Sequence, residues 1–156
     1  MKDSDCNGHT RRGFCAQATA LAMFGAFGAI LPGCGSPTSP SDVASLPTAN
    51  GTPVSGGIAV TIDASSPLSA VGGAALVMAS IGSFLVFRTA QESFMALGAT
   101  CTHQACTITG FANQTFVCPC HGSTFDTSGR VVRGPASAPL RQYATQFAGS
   151  TLTITA

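Results

Sequence analysis

The sequence predicts an all-β domain, a small sandwich or barrel of antiparallel strands over residues 58–156. Three observations lead there: short apolar runs recur along this stretch, turn residues separate them, and the 156-residue chain has 18 glycines but no tryptophan. That mixture suits strands and tight turns better than long helices. Residues 58–62, 83–87, 94–97, 114–117, 129–132 and 151–154 each read as a strand. Asp126-Thr127-Ser128-Gly129 is a turn signal between two of them. Residues 68–80 are apolar throughout and fit either a strand or a short helix. A core this small gains from a staple, a disulfide or a metal group.

Upstream of the domain, residues 1–34 read as an address and an anchor. Arg11 and Arg12 stand together, and an uncharged, apolar stretch runs over residues 14–31. Such a helix beside two arginines has no core to enter. It is therefore expected to be a twin-arginine-type signal or membrane anchor, at the lower edge of the length that spans a bilayer. Leu31-Pro32-Gly33-Cys34 resembles a bacterial lipobox, with Pro32 where a small residue is usual. Acylation at Cys34, retention of the segment, or release by cleavage are the three outcomes, and two of them leave a membrane tether. Residues 35–57, rich in Ser, Pro, Thr, Gly and Ala, show no helical or strand period and are expected to form a flexible linker. The expected location is outside the cytoplasm of a bacterium, anchored to its membrane.

Charged residues make up 8% of the chain and the formal net charge is +1. No charge field for nucleic acid follows from such a composition. The chemistry lies in the cysteines and histidines. Of 7 cysteines, Cys101, Cys106, Cys118 and Cys120 fall in one stretch of the domain. Cys101-Thr102-His103 and Cys118-Pro119-Cys120-His121 each pair one thiolate with one imidazole, with 14 residues between His103 and Cys118. Each pair follows a predicted strand, where a loop can be shaped around a metal group. By donor type alone, a Cys₂His₂ zinc site is an alternative, as is a disulfide framework with idle histidines.

The two segments, Cys101-Thr-His-Gln-Ala-Cys106 and Cys118-Pro-Cys-His-Gly-Ser123, resemble the two cluster-binding boxes of Rieske proteins. The resemblance extends to Gly134-Pro135-Ala136 and Pro139-Leu140, which look like the proline-rich loop that covers the cluster, and it spans residues 58–156. It implies one [2Fe–2S] cluster, with Cys101 and Cys118 on the inner iron and His103 and His121 on the outer. It also implies a disulfide between Cys106 and Cys120, which an oxidising compartment would sustain. That pair marks the quinol-oxidising and related respiratory members rather than dioxygenase-type ferredoxins. Two thiolates bring the oxidised site to zero charge, so accepting an electron costs less Coulomb energy than in a four-cysteine site. Potentials of about −150 to +300 mV are typical of the class. The histidines should release protons more readily when the cluster is oxidised. Twin-arginine export, which moves folded proteins, suits a domain loaded before transport.

Three positions are expected to tune or alter the site. Ser123 matches a serine that donates a hydrogen bond to a bridging sulfide. Phe125 stands where high-potential members have a tyrosine, and so implies a lower potential. Gln104 replaces an apolar leucine that helps dock quinol-oxidising members on their membrane subunit. Ala105 replaces a glycine, so its backbone either keeps negative φ or tolerates strain. The resemblance thus implies an electron-transfer subunit without a substrate site of its own. Its expected partners are a membrane quinol-oxidising subunit and a c-type cytochrome. Another periplasmic oxidoreductase (arsenite-oxidase-like), a free-standing carrier and a structural metal-binding lipoprotein are the alternatives. A Rieske oxygenase is excluded by count, because its mononuclear iron needs two further histidines and only His9 remains.

Overall fold

The computed structural model describes residues 43–156. The expected export segment, Cys34 and residues 35–42 lie outside the described residues. Twelve strands follow in order: β1 Thr48–Asn50, β2 Thr52–Val54, β3 Gly57–Thr61, β4 Ala74–Ala79, β5 Gly82–Ala90 and β6 Ser93–Gly98, then β7 Gly110–Ala112, β8 Thr115–Val117, β9 Thr124–Asp126, β10 Val131–Arg133, β11 Gln142–Ala148 and β12 Thr151–Thr155. Among the described residues there is no helix. The fold is all-β, and the six predicted strands are present as β3, β5, β6, β8, β10 and β12.

Eight strands form one sheet in the order β1-β4-β5-β6-β11-β12-β3-β2, and four form a second in the order β10-β9-β8-β7. All pairings are antiparallel except β1 with β4. Although β1 and β2 are consecutive, they occupy opposite ends of the large sheet, so the sheet curls until it nearly closes. Gly51 lies between them and its N–H donates to the Met78 carbonyl at 2.8 Å. A Cβ at that position would come within 3.1 Å of Ile58 Cδ1 and 3.2 Å of Val77 Cγ1. A larger residue there would need these core side chains to give way by a few tenths of an ångström.

Two apolar cores result. One is built on the large sheet and includes Ile58, Val60, Val77, Val86, Leu152 and Ile154, with Leu68 from the turns before β4. The other joins Leu85 and Leu97 of the large sheet to Phe116 and Phe125 of the small one, with Leu46, Cys101, Ile108 and Cys118 from the connecting segments. The second core is what holds the small sheet against the barrel.

The structure corrects the expected linker over its described part. Leu46 is buried, its N–H donates to Thr109 O at 2.6 Å, and residues 48–54 supply β1 and β2. Pairing with β4 and β3 satisfies the backbone of a segment too polar to bury itself. The apolar stretch 68–80 divides: residues 74–79 are the central strand β4, and the preceding residues are turns that shield Leu68. The sequence reading missed β11, where only alternate residues, Tyr143, Thr145 and Phe147, turn inward, and a threonine among them breaks the apolar signal. Arg88, 5% exposed on β5, was also not singled out. Its guanidinium donates to the carbonyls of Leu68, Ser69 and Gln91, and it lies 5.1 Å from the centroid of Phe94. The cation thereby ties the 66–72 turns to the β5–β6 hairpin.

Candidate metal centre

Two loops carry the predicted donors. The first leaves β6 and contains residues 101–106; the second joins β8 to β9 and contains residues 118–123. They are the same turn made twice. Cys101 O accepts from Ala105 N at 3.0 Å, and Cys118 O accepts from Gly122 N at 3.0 Å. Cys101 N donates to Cys106 O and Cys118 N to Ser123 O, both at 2.8 Å. Closing such a turn needs a left-handed residue in fifth place, where Gly122 has φ of 72° and Ala105 has φ of 53°. Of the two readings the sequence allowed at Ala105, the structure has the strained one.

The turns carry Cys101 and His103 on one loop and Cys118 and His121 on the other. The Cys101 and Cys118 thiols are free and are 2% and 1% exposed. Burial pushes the Cys118 thiol up, and the adjacent Cys101 adds to this, against backbone N–H groups of Cys120 and His121 that favour the thiolate. A positive charge or bound metal beside Cys118 would favour its thiolate. His103 and His121 stand edge to face, ring centroids 4.9 Å apart at 89°. His103 Nδ1 is buried and has no hydrogen-bond partner, a cost of roughly 1–3 kcal/mol unless something fills the coordination. His121 is exposed.

Cys106 and Cys120 form a disulfide across the two turns, with Cα atoms 6.5 Å apart. Behind the loops, Ser123 is fully buried and its hydroxyl accepts from Ala136 N at 3.0 Å, leaving its own proton to donate elsewhere. Phe125, also fully buried, packs in the core that contains both thiols. Gly134 and Pro135, joined by a cis peptide, are exposed and lead into buried Ala136. Thr102, which the sequence reading passed over, donates its hydroxyl to Ala138 O at 2.6 Å, so the 134–140 segment is tied to both turns. Gln104 is exposed beside His103.

The His103 and His121 rings stand against each other, and the Cys101 and Cys118 thiols share the second core. The sequence pattern of the Rieske [2Fe–2S] domain matches residues 60–144, more than half of the chain.

The chain belongs to the Rieske [2Fe–2S] domain family. Its cofactor is a [2Fe–2S] cluster, and the orphaned imidazole nitrogen and buried thiols fit such a group. A cytochrome b6-f complex iron-sulfur subunit 2 of Nostoc is 35% identical over 107 residues, 62% of this chain and 60% of that protein. The cytochrome b6-f complex iron-sulfur subunit of Synechococcus elongatus is 49% identical over 51 residues, 32% of this chain and 28% of that one. The Rieske chain thus matches less than two thirds of the length of either relative. Among solved structures, the plasma membrane Rieske protein of the cyanobacterium Synechocystis is 34% identical, covering 54% of this chain and 87% of that chain with a TM-score of 0.49.

Proposed function

We propose that this Rieske protein is a one-electron carrier in which Cys101 and Cys118 hold the inner iron and His103 and His121 the outer. The observation that carries the assignment is the pairing of two buried thiols with two imidazoles, one of them solvent-facing. When bound, the cluster accepts and returns a single electron. The residues around it do the rest. Buried Cys101 and Cys118, with the core behind them, keep water from the sulfur side. Exposed His121 reaches the surface, where a partner can come within electron-transfer distance. The Cys106–Cys120 bridge and the Thr102–Ala138 hydrogen bond hold the two turns in register.

The host is a membrane-linked quinol:cytochrome c-type oxidoreductase, of which this chain is the iron–sulfur subunit. Support comes from the disulfide, which fits an oxidising compartment, and from relatives named as cytochrome b6-f iron-sulfur subunits. Residues 1–34 serve as export signal and membrane tether, with Cys34 available for acylation, and place the domain on the extracytoplasmic side. A second reading, a subunit of another periplasmic oxidoreductase or a free carrier, is favoured by the exposed polar Gln104 where a quinol-docking surface would be apolar.

Iron and acid-labile sulfide analysis with electron spin resonance on the anaerobically purified protein tests the carrier. Two irons and two sulfides per chain, lost on Cys101→Ser and on His121→Ala, are expected; a colourless protein ends the reading. Co-purification from native membranes and sensitivity to quinol-site inhibitors decide between the two hosts.

A further inference from the structure

The sulfurs at the metal loops have two incompatible uses. A thiolate is both the metal ligand and the nucleophile of disulfide chemistry. Cys106 and Cys120 are bonded to each other, whereas Cys101 and Cys118 are free. The sulfurs of Cys106, Cys118 and Cys120 all lie within 4.8 Å of one another. A free thiol therefore stands beside a disulfide.

Its surroundings direct any reaction inward. Cys118 is 1% exposed, so thiols and disulfides in solution do not reach it. The second turn fixes its backbone, since Cys118 N donates to Ser123 O and Cys118 O accepts from Gly122 N. Only the side chain has to turn for one sulfur to meet the next. Groups held this close react far faster than the same groups free in solution. The two ends of the bridge differ as well: Cys106 is half-buried and Cys120 is exposed. Exchange leaves one sulfur behind as a thiolate, and a thiolate that water can solvate leaves more easily than one that is buried. Attack at Cys106 releases Cys120 into water. Attack at Cys120 releases the half-buried Cys106 and forces a link across Pro119, whose ring stiffens the backbone. The first route is the better one.

We propose that the bridge is a latch set by the iron. While Cys118 holds iron, the Cys106–Cys120 bond persists; once the iron is lost, Cys118 attacks Cys106 and takes over the bridge. The Cys118–Cys106 bond forms, the Cys106–Cys120 bond breaks, and Cys120 takes up the proton that Cys118 gave up. No oxidant or reductant is consumed. The proposal rests on the reading above in which Cys118 is a ligand. Its consequence runs one way. One of the four ligands becomes blocked, and a compartment that sustains disulfides has no thiol pool to free it. A chain that loses its cluster there stays empty.

Disulfide mapping by mass spectrometry tests the latch, on full-chain protein purified anaerobically and alkylated before unfolding. The iron-bearing protein should show the Cys106–Cys120 link and no alkylation at Cys120. Cys101→Ser removes one ligand but keeps the three exchanging sulfurs. It should lose the Cys106–Cys120 link from most chains within hours, show Cys106–Cys118 in its place, and be alkylated at Cys120. Wild type stripped of iron by a chelator, with freed sulfide removed on a desalting column, should do the same, so a Cys101→Ser chain that does not fold still leaves a reading. Cys118→Ser, equally unable to hold the cluster, should keep Cys106–Cys120. Dilution by about tenfold should leave the rate unchanged, as the step occurs within one chain. A Cys106–Cys120 link that survives iron loss, a Cys118–Cys120 link, or a rate that falls on dilution overturns the latch. Wild type that holds no iron as purified overturns the carrier reading, whereas iron-bearing wild type whose bridge stays put after stripping overturns the latch alone.

Discussion

At the scale of single residues, the site is tuned by what two buried side chains can donate. Ser123 accepts from Ala136 N and keeps a proton to give; Phe125, equally buried, has none. A hydroxyl placed at Phe125 would donate toward the sulfur side of the site and favour the reduced, more negative state. Phe125→Tyr should therefore raise the midpoint potential, and a voltammogram of an intact cluster that does not move would refute the role. Asp126 makes a different prediction. Burial opposes its ionisation, but hydrogen bonds from Ser128 and Arg130 and the Arg130 charge outweigh it and hold the carboxyl below its ordinary value. A group lowered on folding contributes fully above its unfolded value, about 3.9, and loses that contribution as pH falls through the folded one. Melting temperatures of wild type and Asp126→Asn should converge between about pH 5 and pH 3; parallel profiles would show that the carboxylate charge contributes nothing.

At the scale of elements, the two metal loops and the β7–β8 hairpin depend on left-handed residues. Gly122 is suited to that conformation, whereas Ala105, Asn113 and Gln114 adopt it at a cost, with φ of 53°, 50° and 56°. Ala105→Gly should stabilise the protein by about 1 kcal/mol, read as a higher denaturant midpoint at unchanged slope. Gln114→Gly, in a hairpin turn away from the metal loops, should gain a similar amount. A gain at Gln114 without one at Ala105 would mean that the disulfide and the bound group already hold the first turn. The paired cysteines Cys106 and Cys120 were legible in the sequence, through the resemblance of the two short loop motifs that contain them. The strained fifth position was legible only as a choice of two. The bonds from Ala136 and Thr102 were not legible, since they join residues 13 and 36 positions apart.

At the scale of the molecule, the two cores divide the work. One is built on the large sheet; the other is shared by both sheets and contains the Cys101 and Cys118 thiols. Removing the cluster should therefore loosen the second core and leave the first. Hydrogen exchange on the iron-free protein should show faster exchange at Ile108, Phe116 and Val117, with protection kept at Val60, Val86 and Leu152. Uniform loss of protection would mean that the domain folds as one unit around its metal.

The sequence by itself determined the all-β class, the central strands and the family, because strand period, turn chemistry and motif spacing are local properties. The tertiary structure alone decided that residues 43–57 join the domain and that Arg88 is buried. Each of these depends on which strands become neighbours, and pairing partners far apart in the chain leave no local signal.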